Sequence, residues 1–145
     1  MTDIVALARR LFRIIKWQQT LEDVGKEELT EIIAESIRKL YVATGRARLI
    51  SDDAFKKDGD LYISFGYTLR EDEVQWVLLD AQISFFTMVQ NEYTDMVGFT
   101  TNALTLTHGD KPFKNIQERI DKLSAEQIKV WYKMNRFHHL GGVVI

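Results

Sequence analysis

"EVQWVLLDAQISFFTMVQNEYTDM", residues 73–96, decides the fold. Its apolar side chains do not keep to one stripe: Val74, Val77, Leu78, Ala81, Phe85, Met88 and Val89 share one side, while Trp76, Ile83 and Phe86 fall on others. A helix of this span is about 36 Å long. A surface helix keeps a polar face towards water, so this one is expected to be central, enclosed by other helices or by a neighbouring subunit. Thr68 and Glu71 have capping-box spacing just upstream, and Asp72 and Glu73 put negative charge at the positive end of the helix dipole. Asp80 stands three or four residues from Trp76, Val77, Ile83 and Ser84. A carboxylate in such surroundings is expected to be partnered by an Arg or Lys of another element, or part-exposed.

Working outward towards the amino terminus, "DLYISFGYTL" (60–69) alternates Leu61, Ile63, Phe65 and Tyr67 with Tyr62, Ser64, Gly66 and Thr68, the period-two pattern of a half-buried strand. "KKDGD" (56–60) before it is turn chemistry at the end of a loop over 46–60. Leu29, Ile32, Ile33, Ile37, Leu40 and Tyr41 mark one face of a helix over 26–44, with Gly45 just past its end where a left-handed residue is wanted. Ile4, Leu7, Ala8, Leu11, Ile14 and Ile15 mark a short amphipathic helix ending near Gln19, with Arg9, Arg10, Arg13 and Lys16 mostly off the apolar stripe.

Towards the carboxy terminus, "GDKPF" (109–113) opens a last helix: Asp110 or Lys111 caps it and Pro112 suits its first position. Phe113, Ile116, Ile120 and Leu123 carry it forward, and "SAEQ" (124–127), a second capping-box spacing, predicts a break or bend before Ile128, Trp131, Tyr132 and Met134 resume the pattern. Gly141 and Gly142 are expected to uncouple a short flexible tail, Val143 to Ile145. The fold class is therefore mainly α: one domain over 1–145, a helical bundle with a small β-hairpin or extended-loop element.

The totals narrow the function classes. The 145 residues are 46% hydrophobic and 28% charged, an ordinary composition for one folded domain. The absence of cysteine excludes disulfides and thiolate metal sites. The longest apolar stretch, Trp76 to Val89, is short for a bilayer and carries Asp80, Gln82 and Ser84, so no membrane partner is expected. Arg9, Arg10 and Arg13 are interleaved with apolar residues, unlike a signal peptide. A net charge of −2 argues against a dedicated duplex-binding surface. Charge is nonetheless uneven, since residues 4–20 carry four cations and no acid, whereas 21–36 carry Glu22, Asp23, Glu27, Glu28, Glu31 and Glu35 against Lys26 alone. The basic helix either leans on that acidic neighbour within the fold or meets an acidic partner subunit.

No catalytic, cofactor-binding or metal constellation emerges. His108, His138 and His139 lack a second ligand at i, i+4 spacing, and the Asp52–Asp53 and Asp58–Asp60 loop lacks the regular oxygen ligands of a calcium hand. Phosphate-binding glycine loops and nucleophile-elbow motifs are absent. The tryptophans and phenylalanines read as core or interface, because no basic groove accompanies them as a base-stacking platform. An enzyme is not expected, although a site assembled from distant residues would leave no local trace.

Several segments look incomplete. "DMVGFTTNALTLTHGDKPF" (95–113) interrupts two helices with a threonine-rich extended stretch, and a two-stranded ribbon alone is marginal in water. The stretches near 61–68 and 97–107 are expected to pair with each other on the helices or to offer edges to neighbouring chains. With the basic first helix and the apolar tail, they make three projecting devices on a helical hub.

The order of helices, "DLYISFGYTL", the long aromatic helix, the loop "VGFTTNALTLTHGD" (97–110) and the closing helix from "KPFKNIQERI" (111–120) together resemble the head-tail connector, or adaptor, proteins of long-tailed bacteriophages, over roughly residues 26–137. The resemblance rests on layout and length. It implies a non-catalytic virion protein, assembled in the host cytoplasm, that forms a ring, typically dodecameric, between the portal and a tail or stopper protein. DNA would pass through its channel without sequence recognition. Interface residues would come from Arg9, Arg10 and Arg13 on the first helix, from Phe99, Asn102, Leu104 and Leu106 in the loop, and from Val143, Val144 and Ile145 in the tail. The "GGVVI" ending is shorter than the carboxy-terminal arm of some adaptors, which leaves open which end meets the portal. The rival reading is a small DNA-binding or regulatory helical protein using the basic first helix.

Overall fold

The computed structural model describes residues 1–15, 25–99 and 111–144, with side chains left out of the description in 92–99, 111–114 and 136–144. Four α-helices and a three-stranded antiparallel sheet make up these residues: β1 (Thr2–Asp3), α1 (Ile4–Ile15), α2 (Lys26–Ala43), β2 (Phe55–Asp58), β3 (Leu61–Phe65), α3 (Glu71–Phe99) and α4 (Lys111–Val144). Two short 3-10 turns, Ala47–Leu49 and Asp52–Ala54, link α2 to β2. The mainly helical class with a small β element is as expected.

α3 is the central element. Trp76 through Gln82 are buried without interruption, and Phe85 and Phe86 are fully enclosed. The enclosure comes from the chain's own helices, with α4 and α2 packing along α3 and α1 adding a smaller contact. Burying aromatic side chains of this size stabilises by roughly 2 to 3 kcal/mol each.

α2 ends as its sequence predicts. Gly45 has φ 73°, and the Arg46 N–H donates back to the Tyr41 carbonyl at 2.7 Å, the six-to-one bond of a Schellman motif. Gly59 sits at the turn between β2 and β3 with φ 62°, a conformation in which a Cβ would be strained.

The sheet corrects the sequence reading. β3 is its middle strand, pairing with β1 through Thr2↔Phe65 and Asp3↔Ser64, and with β2 through Phe55↔Phe65 to Asp58↔Leu61 across an irregularity at Lys56/Lys57. The partners expected for residues 61–68 were residues 97–107 or other chains; the partners found are a two-residue strand and a segment expected to be loop. The face assignment shifts too: Tyr62 and Ser64 are buried, Leu61 and Ile63 are half-buried, and Tyr67 is 43% exposed. Tyr62 goes inside because Phe55 meets its ring edge-on at 5.8 Å and Arg38 donates to its hydroxyl at 3.2 Å. Phe65 stacks on Phe55 at 4.9 Å and meets Tyr41 edge-on at 5.0 Å, joining the sheet to α2.

Helix boundaries bring three further corrections. Arg70 N–H, not that of Thr68, receives the capping carboxylate of α3: it donates to Glu73 Oε1 at 3.0 Å, the return half of a capping box one turn into the helix. α4 passes through Ser124 without a break, because Leu123, Val130 and Met134 stay on one buried face across it. The helix also continues through Gly141 and Gly142 to Val144, where an uncoupled tail was expected. Glycine lowers helix preference by about 1 kcal/mol per residue relative to alanine but, unlike proline, it keeps its N–H and forbids nothing. No described helix is long and apolar enough to cross a membrane.

Candidate functional site

Two polar clusters lie between the helices, and in each the buried carboxylate is partnered. Asp80 on α3 accepts from Ser36 Oγ at 2.8 Å and Lys39 Nζ at 3.3 Å, both on α2, and from Gln127 Nε2 of α4 at 3.1 Å. One carboxylate thus ties three helices, with the lysine partner expected for it. Lys39 also reaches Ser84 Oγ at 3.3 Å. Glu73, 2% exposed, pairs with Arg46, accepts from the Arg70 N–H, and lies 3.5 Å from Arg70 Nε. The Arg46 guanidinium in turn lies 4.1 Å over the Tyr41 ring. Burial pushes the Tyr41 phenol above its ordinary value; Arg46 opposes this, and Glu73 and Tyr67 add to it. Among the described residues no buried side-chain polar atom is left without a partner and no group of His, Cys, Asp and Glu is placed to hold a metal. Each of the two buried carboxylates thus holds neighbouring elements together, and Arg46, Arg70 and Glu73 also line an open cavity of about 560 Å³.

The outer faces of α1 and α4 behave differently. On α1, Ile4, Leu7, Ala8, Leu11 and Ile15 turn inward, leaving Arg9, Arg10 and Arg13 exposed beside Phe12 and Ile14, which are 43% and 39% exposed. Ile14, counted from spacing with the inner face, is outside it. None of the three arginines has an ion pair among the described residues, although Glu27, Glu28, Glu31 and Glu35 stand on the neighbouring α2; Glu35 pairs with Arg38 instead. α1 does pack against this acidic helix, but by its apolar side, without an ion pair from the three arginines among the described residues; Lys16, Glu22 and Asp23 lie outside them. Between α1 and α2 runs an open groove of about 520 Å³. Val5, Ala8, Phe12 and Leu29 give it apolar walls, and Arg9, Arg13 and Lys26 give it cations.

α4 carries the second outer face. Leu123, Val130 and Met134 point into the bundle with Ile116, while Ile128 and Tyr132 are 55% and 69% exposed. Residues four apart share a helix face, so these two side chains make one apolar patch. Asp121 is exposed on the same side, and Glu118, Lys129, Lys122 and Lys133 follow further round the helix, so the exposed side of α4 carries charges of both signs. Asp121 accepts from Gln117 Nε2 at 2.9 Å, and neither acid has an ion pair among the described residues.

Of the residues singled out from sequence, Arg9, Arg10 and Arg13 are placed together on one exposed surface. Phe99 is the last residue of α3, rather than part of a loop, and Val143 and Val144 end α4; the side chains of all three lie outside the described residues. Asn102, Leu104, Leu106 and Ile145 also lie outside them, as does the 100–110 segment. Ile128 and Tyr132 were missed, having been read as core. The inward register of α4, at 116, 120, 123, 127, 130 and 134, skips both, and that register was the available signal.

Compared with models of protein families, with curated proteins and with solved structures, the chain finds no match.

Proposed function

We propose that this chain is a structural assembly subunit that associates with copies of itself into a ring and joins two larger bodies. The observation that carries the reading is the pair of dissimilar outer faces, α1 with arginines that have no ion pair among the described residues and α4 with Ile128 and Tyr132, on a fold whose buried polar side chains, among the described residues, are matched. A closed ring is built head to tail, which requires two different patches on one subunit. These faces belong to helices at the two ends of the packing order, α1 against α2 and α4 against α3.

The finer form of the proposal is a bacteriophage head-tail connector. Its support is the layout of helices, strand and interrupting loop described above. In that role the ring, dodecameric in the family resembled, sits in the virion between a portal and a tail or stopper protein and continues the DNA channel. Chemistry would play no part, and Phe99 at the end of α3, the following stretch with Asn102, Leu104 and Leu106, and the terminal Val143, Val144 and Ile145 would add contacts to neighbours.

The exposed cations of α1 favour a second reading, a DNA-binding or regulatory helical protein. Electron microscopy of the concentrated protein, together with a salt titration of DNA binding, separates the two. Closed rings and negligible DNA affinity of separated subunits are expected. A chain that remains single and binds DNA with affinity falling steeply as salt rises would overturn the connector and favour the second reading.

A further inference from the structure

Residues 66–70 run from β3 to α3 and belong to neither. The two ends of this link are pinned close by: the Gly66 N–H donates to the Ala54 carbonyl at 2.8 Å, and the Arg70 N–H to Glu73 Oε1 at 3.0 Å. Its middle is held by the first two residues of the sequence. Thr2 Oγ1 donates to the Tyr67 carbonyl at 2.7 Å and accepts from the Leu69 N–H at 3.1 Å, so one side chain satisfies two backbone groups of the link. Thr68 Oγ1 accepts from the Met1 amino group at 2.6 Å. Leu69 is thereby kept in the core, while Thr68 and Arg70 line the open cavity of about 560 Å³.

We infer that Met1 and Thr2 are a strap that lifts from the fold together with Tyr67, Thr68 and Leu69, while the four helices stay packed. β1 is attached through two pairs, Thr2↔Phe65 and Asp3↔Ser64, and is shorter than the roughly 3 to 10 residues of ordinary strands. Met1 is 78% exposed, and Gly66, Tyr67 and Thr68 are exposed, whereas Ile4 and Phe65 beside them are fully buried. Short pairing and few covered side chains place a segment at the low end of local stability. Asp3 supplies the hinge. Its Oδ1 accepts from the Ala6 N–H at 3.0 Å, so α1 carries its own cap, and Ile4, Leu7, Leu11 and Ile15 bury it without help from the strap. When the strap lifts, the Tyr67 carbonyl and the Leu69 N–H pass to water, Leu69 leaves the core, and one wall of the cavity is freed. This device is independent of self-assembly.

The natural chain has no cysteine, so Leu69→Cys gives a thiol whose labelling reports on this position alone. Adding Thr2→Val should speed labelling about tenfold, because valine keeps the shape of threonine and leaves two backbone groups unpaired in the closed state. Thr2→Ser, which keeps the hydroxyl, should label at a rate close to that of the unaltered strap. Phe85→Leu weakens a fully buried contact about 20 Å along α3 that persists when the strap lifts, so it should leave the Leu69→Cys rate unchanged. It should speed labelling of Ala81→Cys, a fully buried α3 position reached through wider unfolding. Hydrogen exchange at the Leu69 amide of the chain without introduced cysteine should show the same responses, and it carries the test if the cysteine variant does not fold. Acceleration at Leu69 by Phe85→Leu as large as at Ala81 would mean that the link opens with the whole fold, and would overturn the strap. Labelling and exchange at Leu69 indifferent to Thr2→Val would overturn it equally.

Discussion

Asp80 and Arg9 are both charged side chains on helices rich in apolar residues, and the protein treats them in opposite ways. Around Asp80 three helices converge, α2 supplying two donors and α4 one, so the carboxylate is satisfied from within. Around Arg9 the apolar side of α1 is covered while the cations, and Phe12 beside them, face outward with no ion pair among the described residues. The same contrast separates the inner and outer sides of α4, where Gln127 turns to Asp80 and Ile128, next in sequence, is exposed. The interior is finished by one chain. The outer faces have apolar and charged groups in combinations that the described residues of the chain do not use.

If this contrast is real, substitutions inside should cost stability and those outside should not. The largest effect is expected at Phe85, which is fully buried on α3. Phe85→Ala removes most of an aromatic side chain from the centre of the bundle and should cost about 3 to 5 kcal/mol in a denaturant titration. Asp80→Ala should cost less, about 1 to 3 kcal/mol, because it strands the buried Ser36 hydroxyl and the Gln127 amide while Lys39, about half exposed, can turn to water.

A smaller effect belongs to alkaline pH. The folded state holds the Tyr41 phenol above its ordinary value, with burial as the main cause, so the unfolded chain releases that proton first. Stability from this group is therefore complete below the unfolded value, near 10, and is lost as pH rises beyond it. Denaturant midpoints measured across that range should fall in the wild type and fall less in Tyr41→Phe. At the far end of the scale, Arg9→Gln combined with Arg13→Gln should change unfolding stability by no more than about 0.5 kcal/mol, as for surface positions without structural partners. A larger loss would mean that the fold uses these cations after all.

How much of this was legible beforehand follows the same division. α3 could be read because burial on every side leaves a direct trace, an apolar run with Trp76, Phe85 and Phe86 at different angles around the helix. Gly45 could be read because a helix terminus makes a local demand on one residue. β1 and β2 could not, since Thr2–Asp3 and Phe55–Asp58 carry a single apolar residue between them and owe their extended form to pairing with β3. For β1 that pairing joins residues more than sixty positions apart, as in Thr2↔Phe65, and local periodicity has no access to it. Ile128 and Tyr132 were misread for a related reason. An apolar pair four residues apart looks alike whether it faces a core or a partner, and only the competing register through Leu123, Val130 and Met134 tells them apart. The basic character of α1 was plain from sequence, but that its three arginines make no ion pair with α2 among the described residues depends on side-chain directions that spacing alone does not fix.

The central claim is that the outer faces of α1 and α4 exist to be covered by other copies of the chain. Sedimentation equilibrium of the wild-type protein over a wide concentration range addresses it most directly. The account predicts a mass that rises with concentration towards a closed multiple of 16.9 kDa and falls back when salt is added. A mass that stays at 16.9 kDa up to millimolar concentration at low salt would contradict it.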